Sequence, residues 1–317
     1  MESSVIVLLG PTGVGKTPLA VDLARDLEGE VVSADSRQVY RRMDIGTAKP
    51  TPAQRAAIPH HLLDIIDPDV DFSLAEFCER AHAALSEIAG RGRVPFLVGG
   101  TGQYLAALLE GWRVPRVPPQ PAFRARLEEE ARVQGGEALH RRLQEVDPEA
   151  AARILPGNLR RVIRALEVYE FTGEPFSRQQ RREKPPYNFL VLGLTMERPA
   201  LYRRVDERAA EMVRQGLVAE VRALLAAGYG WDLSAMSSLG YVQFRPYLEG
   251  QASLEEAVAR LQYDTHAFIR HQYTWFRRFA VDQWVDMGPG TEGQSMFPAV
   301  REWLVQQGPG GREQGPG

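Results

Sequence analysis

One cysteine, Cys78, in 317 residues is too few for an internal disulfide. It also excludes every zinc module built on paired cysteines. No apolar run approaches the roughly 20 residues needed to cross a bilayer as a helix. Charge of one sign is lacking too: 38 Lys and Arg stand against 41 Asp and Glu, a net of −3. Bulk charge therefore points to no nucleic-acid or membrane-surface partner, and only local clustering could. The opening "MESSVIVLLG" has no basic lead-in before its apolar stretch. It reads as a buried first strand and not as a secretory signal. What remains is the composition of a soluble globular protein, 44% hydrophobic and 25% charged, expected in a reducing cytoplasm. Its length suits one large domain or two ordinary ones.

Strand-like and helix-like segments alternate up to about residue 112. "VIVLL" is a strand, "KTPLAVDLARDL" a helix, and "GEVVSADS" a strand running into a polar turn. "SLAEFCERAHAALSEIAGRG" opens on Ser73 with Glu76 three residues later, a capping box, and closes on glycines. "VPFLVGG" is a further buried strand. This alternation predicts an α/β fold with a parallel sheet and right-handed crossovers. "WRVPRVPPQPAF" then gathers Pro115, Pro118, Pro119 and Pro121 into a linker. An arginine-rich helical block follows, before "NFLVLGLTM" (188–196) returns to the sheet. Two long helical stretches come next, "ALYRRVDERAAEMVRQGLVAEVRALLAAG" and "SLEEAVARLQYDTHAFIRHQYTWFRRF". The expected division is a core of 1–114 and 184–307, an inserted helical domain of 115–183, and a disordered tail of 308–317, "GPGGREQGPG", which has nothing to bury.

The chemistry starts at Gly10-Pro11-Thr12-Gly13-Val14-Gly15-Lys16-Thr17, which fits G-x-x-x-x-G-K-[ST] between a strand and a helix. Glycines let backbone N–H groups turn onto phosphate oxygens, and the helix N-terminus adds favourable partial charge. Lys16 brings a full charge, and Thr17 can ligate Mg²⁺. Pro18 is tolerated because a first-turn position has no helical N–H bond to lose. A P-loop ATPase also carries an aspartate at a neighbouring strand end. Here "VPFLV" runs into Gly99-Gly100-Thr101-Gly102 with no carboxylate. The nearest acid at a strand end is Asp35, placed for a general base or for the surroundings of a metal. The loop alone selects a diphosphate or triphosphate and does not say which.

With these pieces in view the chain resembles the tRNA dimethylallyltransferases (tRNA isopentenyltransferases). The carriers are "GPTGVGKT" at 10–17, "SADSRQVYRRMDIGTAKP" at 33–50 and "PHHLLDIIDP" at 59–68. "LVGGTGQYLAALLEG" at 97–111, "RRVIRALEV" at 160–168 and "RHQYTWFRR" at 270–278 complete them, in order and over most of the chain. The resemblance implies a P-loop NTPase-like sheet with an inserted, mainly helical tRNA-binding domain. It implies that the loop holds dimethylallyl diphosphate with Mg²⁺. The five-carbon group would pass to the exocyclic N6 amine of the adenosine 3′ of the anticodon, in a monomer without a membrane role. Lys16, Asp35, Thr101 and Arg208 are then the expected catalytic residues, with Asp35 taking a proton from the amine and Arg208 aimed at the diphosphate. Expected tRNA contacts are Asp35, Ser36, Arg37, Gln38, Thr101, Arg124, Arg160, Arg161, Val162, Ile163, Arg164, Gly240 and Tyr241. Gln38 suits an adenine edge because a carboxamide offers donor and acceptor together.

Local charge supports an RNA partner. Residues 153–182 hold seven arginines against three glutamates. Arg160 and Arg164 stand four apart, hence on one helix face. In the last long helix His266, Arg270 and Arg277 lie toward one side, and its aromatics Tyr273 and Trp275 read as core. The pair His60-His61 lacks further ligands at sensible spacing and reads as hydrogen-bonding, not metal-binding. Departures from the family pattern are Val242, where a basic residue is usual, and His266 and His271, where arginine is frequent. Rival readings are an isopentenyltransferase acting on free adenine nucleotides, a P-loop small-molecule kinase, and an RNA-binding protein without catalysis. The inserted arginine-rich block argues against the first, the missing strand-end carboxylate against the second, and intact Lys16, Thr17 and Asp35 against the third.

Overall fold

A computed structural model describes residues 3–179, 181–288 and 293–307. The expected tail of 308–317 lies outside the described residues. The strands are β1 (Ser3–Leu9), β2 (Gly29–Ala34), β3 (His60–His61), β4 (Val94–Gly99), β5 (Tyr187–Thr195) and β6 (Gln283–Asp286). Helices up to the sheet's return are α1 (Lys16–Asp26), α2 (Pro52–Ala57), α3 (Leu74–Gly90), α4 (Gly102–Leu109), α5 (Pro121–Gln134), α6 (Gly136–Val146), α7 (Pro148–Arg153), α8 (Leu159–Thr172) and α9 (Phe176–Gln179). After β5 come α10 (Arg198–Arg214), α11 (Leu217–Ala226), α12 (Arg245–Leu248), α13 (Leu254–Phe276) and α14 (Phe297–Gln307). The chain divides into two compact units: the smaller comprises Ser73–Glu76 and Ala106–Pro185, the larger the remaining described residues.

In the larger unit all six strands are parallel, in the order β3-β2-β4-β1-β5-β6. Val5 to Leu9 are wholly buried, as a strand covered on both faces requires. The predicted strands at 5–9, 29–34, 94–99 and 188–196 all join this sheet. Both edge strands, β3 and β6, escape a reading by pattern. Two residues show no periodicity, and "QWVD" carries one buried side chain, Val285. The first stretch expected to be one long helix is two: Gly216, at φ 104°, ends the turn after α10 and starts α11. The second is continuous, and α13 opens on a Ser253/Glu256 capping box. The same device starts α3, where Ser73 Oγ accepts from Glu76 N at 3.2 Å. No helix among the described residues is long and apolar enough to cross a membrane.

The smaller unit has its own core, from Val117 and Phe123 through Leu139, Leu143, Val162, Ile163 and Leu166 to Phe176. The proline stretch carries neither helix nor strand from Arg113 to Gln120, but Pro121 opens α5, where a first-turn proline loses no bond.

Candidate active site

The strands of the larger unit point their C-terminal ends the same way, and in such sheets ligands sit beyond those ends. β1 leads into the phosphate loop and α1. Gly13 and Gly15 adopt left-handed backbone at φ 81° and 110°. A Cβ on Gly13 would also lie 2.4 Å from Val205 Cγ1, so close packing excludes any side chain there. Gly15 caps α1 without a side-chain bond, leaving the first-turn N–H groups open to an anion. Lys16 Nζ donates to Gly10 O at 2.8 Å and Pro11 O at 2.9 Å. Burial pulls the Lys16 pKa down, Asp35 works against the fall and Arg208 adds to it, for a result of about 8.

Asp35 follows β2 directly. Its Oδ1 accepts from Arg37 N at 2.8 Å and Gln38 N at 3.3 Å, the turn-capping role of a short acid after a strand. Its other oxygen has no protein partner among the described residues. One carboxylate thus caps a turn and keeps a lone oxygen for chemistry. Thr101 follows β4 and accepts from Ser36 N at 3.0 Å through Oγ1, which brings the ends of β2 and β4 together. Two neighbours of Asp35 are otherwise engaged. Arg37 donates to Ser234 O at 2.8 Å. Gln38 donates to Thr47 O and Ala48 O while accepting from Ser33 Oγ. The carboxamide expected to read an adenine edge is therefore filled by protein partners. The free donor and acceptor on which that expectation rested are absent.

Arg208 comes from α10 and is half-buried. Burial and the neighbouring Arg204 lower its pKa, and Asp35 opposes them. Sequence reasoning missed Arg204, although it stands one helical turn before Arg208 on the same face. Its guanidinium nitrogens are 3.7 and 3.8 Å from where a Cβ on Gly15 would lie. Neither arginine has a carboxylate within hydrogen-bonding distance among the described residues. Lys16, Thr17, Asp35, Arg204 and Arg208 line one cavity of about 1030 Å³. Lys16, Arg204 and Arg208 make no ion pair among the described residues, and Asp35 is the carboxylate whose charge acts on Lys16 and Arg208. A multiply charged anion relieves the mutual repulsion of such cations.

The far wall of the cavity is the loop 41–50, held by two residues that sequence reasoning also passed over. Buried Lys49 donates to Tyr40 O, Asp44 Oδ1 and Asp64 Oδ1, and Arg55 pairs with the same Asp64 at 2.6 Å. Glu220 accepts from the N–H groups of Asp44, Ile45 and Gly46 and from the Tyr241 hydroxyl at 2.6 Å. Tyr241, one of the expected RNA contacts, has a wholly buried ring, and its phenol props this loop. Gly240, at φ 97°, lets the backbone approach Gly46 O, so it too serves packing. His60 and His61 bond to Ile58 O and Glu30, and no cluster of metal-ligating side chains occurs among the described residues.

In the smaller unit the arginines divide. Arg124 makes a two-pronged pair with Glu167 at 2.7 and 2.7 Å. Arg164 donates to the same carboxylate at 2.7 Å and to Val117 O. Glu167 is 0% exposed. Burial alone would raise its pKa, but bonds from Arg124, Arg164 and Gln120 N hold it below the usual carboxylate range. Val162 and Ile163, also among the expected RNA contacts, place their side chains in the core: a helix buries the face opposite its charges. Arg164 and Arg124 are engaged internally. Arg160 and Arg161 remain exposed, with no ion pair among the described residues. On α13, His266 bonds Asp206 at 2.8 Å and stacks on Tyr202, while Arg270 donates to the Tyr202 hydroxyl. Val242 is exposed.

Known proteins share the sequence motifs and the fold. The sequence model described as IPP transferase matches residues 38–279, and that described as isopentenyl transferase matches residues 3–63. A tRNA dimethylallyltransferase of Roseiflexus castenholzii is 62% identical over 274 residues, covering 86% of this chain and 90% of that protein. Among solved structures, the full-length tRNA isopentenylpyrophosphate transferase of Bacillus halodurans is 40% identical, with a TM-score of 0.70 and 96% of each chain covered. A eukaryotic dimethylallyltransferase acting on tRNA is 26% identical, with a TM-score of 0.82 over 99% of this chain and 82% of that one. The motifs that suggested a family from the sequence thus meet a family model over most of their span and a shared fold, and the chain belongs to the IPP transferase family, that of the tRNA dimethylallyltransferases.

Proposed function

We propose that the chain transfers the dimethylallyl group of dimethylallyl diphosphate to the exocyclic N6 amine of the adenosine 3′ of the anticodon in tRNA. Diphosphate leaves. The observation that carries this reading is the cavity itself, where a phosphate loop with two uncompensated arginines faces a carboxylate with one free oxygen. A kinase needs a strand-end acid for its metal, and β4 ends in glycines and Thr101.

The allylic C–O bond breaks with its electron pair on the diphosphate. Lys16, Arg208 and Arg204 meet the charge that grows there, the interaction that lowers the barrier most in such sites. The adenine nitrogen forms the new N–C bond and loses a proton to the open oxygen of Asp35. An exocyclic amine is a poor nucleophile because its lone pair is delocalised into the ring, so a base positioned at this nitrogen matters. The Thr17 hydroxyl lines the cavity with no partner among the described residues, and hydroxyl and phosphate oxygens are the hard donors Mg²⁺ takes. Thr17 and the diphosphate would hold the ion, which when bound supplies further stabilisation of leaving-group charge. Arg160 and Arg161 are assigned to tRNA phosphates, with the smaller unit as the RNA-binding insert of a monomer acting in the cytoplasm.

The test incubates the protein with Mg²⁺ and labelled dimethylallyl diphosphate, offering tRNA or AMP as acceptor. Label on tRNA is expected. Label confined to AMP gives the activity to free nucleotides instead, and phosphate transfer from ATP makes the protein a kinase.

A further inference from the structure

We propose that Gln272 is a positioning residue for the transfer: its carboxamide ties the diphosphate loop to the strand end carrying Thr101, setting the spacing between leaving group and acceptor. This inference rests on the activity proposed above.

The β1–β4 ladder ends at the pair Leu9 and Gly99. Beyond it the two strands feed different halves of the site, β1 the phosphate loop and β4 the Gly100-Thr101 turn. Gln272 stands between them, 4% exposed. Its Oε1 accepts from Thr12 N at 2.9 Å, and its Nε2 donates to Gly100 O at 3.0 Å. The side chain thus adds one more rung to a ladder that has run out of backbone pairing. From Gly100 the connection continues through Thr101 Oγ1 to Ser36 N, and Ser36 adjoins Asp35. A single side chain therefore links the group that holds the diphosphate to the one that carries the proposed base.

Three features suit a positioning role. Glutamine is the neutral side chain that offers a donor and an acceptor at this reach, and both atoms are used. The gap leaves little freedom, since a Cβ on Gly100 would lie 2.5 Å from Gln272 Nε2 and 3.2 Å from Gly10 O. The helix beneath is fixed on both sides of Gln272. The Tyr273 hydroxyl bonds Thr195 Oγ1 at 3.0 Å, and the Trp275 ring lies against Gly102, 2.2 Å from where a Cβ there would be. The "HQYTWF" run, whose neighbours were expected to serve RNA, acts here as a brace. Because Thr12 N–H is turned to Gln272, that amide acts on the reaction through geometry and not by touching substrate.

The experiment compares the parent with Gln272→Leu, which removes both bonds, and Gln272→Glu, which keeps the Thr12 acceptor and turns an oxygen on Gly100 O. Single-turnover transfer to tRNA is expected to fall about 10- to 100-fold in Gln272→Leu, since loss of alignment acts on the reacting geometry. Affinities for inorganic pyrophosphate with Mg²⁺, and for an anticodon stem-loop, should each stay within about 3-fold, because each half-site survives alone. Gln272→Glu is expected to show the rate loss with stem-loop affinity kept, its pyrophosphate affinity being left out of the comparison because a carboxylate beside the loop repels the anion directly. It keeps a testable variant should the leucine fail to fold. Unchanged transfer overturns the proposal, as does a rate loss matched by an equal loss of pyrophosphate affinity in Gln272→Leu. Hydrogen exchange of the peptide containing Thr12 is read in parallel without substrates. Faster exchange in Gln272→Leu is expected, and equal protection overturns the brace. An inactive parent would count against the transferase reading, and the exchange arm would still judge Gln272.

Discussion

Arginine is used in opposite ways in the two units. In the smaller one, Arg124 and Arg164 converge on the buried carboxylate of Glu167 and satisfy it completely. In the larger, Arg204 and Arg208 line a cavity with Lys16, and among the described residues no carboxylate lies within hydrogen-bonding distance of either arginine. The first arrangement is self-sufficient and stabilises a fold. The second is electrostatically unfinished, which is the state expected of a site that binds an anion. Residue type does not separate these cases. The partner across the gap does.

The largest effect expected from breaking this contrast lies at Asp35, the acid that faces these cations. Asp35→Asn should lower single-turnover transfer by about 10²- to 10⁴-fold, the range for a positioned base, and leave stem-loop affinity nearly unchanged. A rate near the parent's would remove Asp35 from the proton transfer. Next is the self-sufficient cluster. Arg164→Ala leaves Glu167 buried with one cation fewer and should cost about 3 kcal/mol of stability in urea unfolding. A change within about 0.5 kcal/mol would mean that Arg124 alone suffices.

The same cluster predicts a pH dependence. The Glu167 carboxyl is held below its ordinary value of 4.5 in the fold, so its contribution is present above that pH and is lost as pH falls through the depressed value. Acid unfolding curves should therefore lose part of their steepness in Glu167→Gln, and coincident curves for variant and parent would contradict it. The smallest effect concerns the cations left free. Arg160→Ala with Arg161→Ala should shift stability by less than about 0.5 kcal/mol. It should weaken tRNA binding and flatten the slope of log K against log salt by about 1.5. An unaltered slope would send the RNA elsewhere.

The phosphate loop, an acid at the end of β2 and the buried strands were legible because each rests on local rules, whereas Thr101 was singled out through the family pattern. Glycines at fixed offsets, an acid after a strand, and unbroken apolar runs all keep their meaning wherever the chain later packs. Arg208 was reachable only through the family pattern, and its helix neighbour Arg204 was not reached. Gln38 and Arg37 looked free because a sequence does not display the carbonyls of Thr47, Ala48 and Ser234 that occupy them. Tyr241, Val162 and Ile163 entered the list of RNA contacts as members of motifs, yet their side chains serve packing. A motif records which residues occur together, and it mixes those that touch a ligand with those that hold the ones that do.

By itself, then, the sequence determined the parallel α/β class, the position of the phosphate loop and the family. These follow from order, spacing and periodicity, which are properties of neighbours along the chain. Tertiary structure decided which charges are answered and which are left open. It also decided that Gln272, 260 residues from Thr12, closes the gap between two strand ends. Such pairings cross the fold, and no local pattern encodes the distance between side chains brought together by packing.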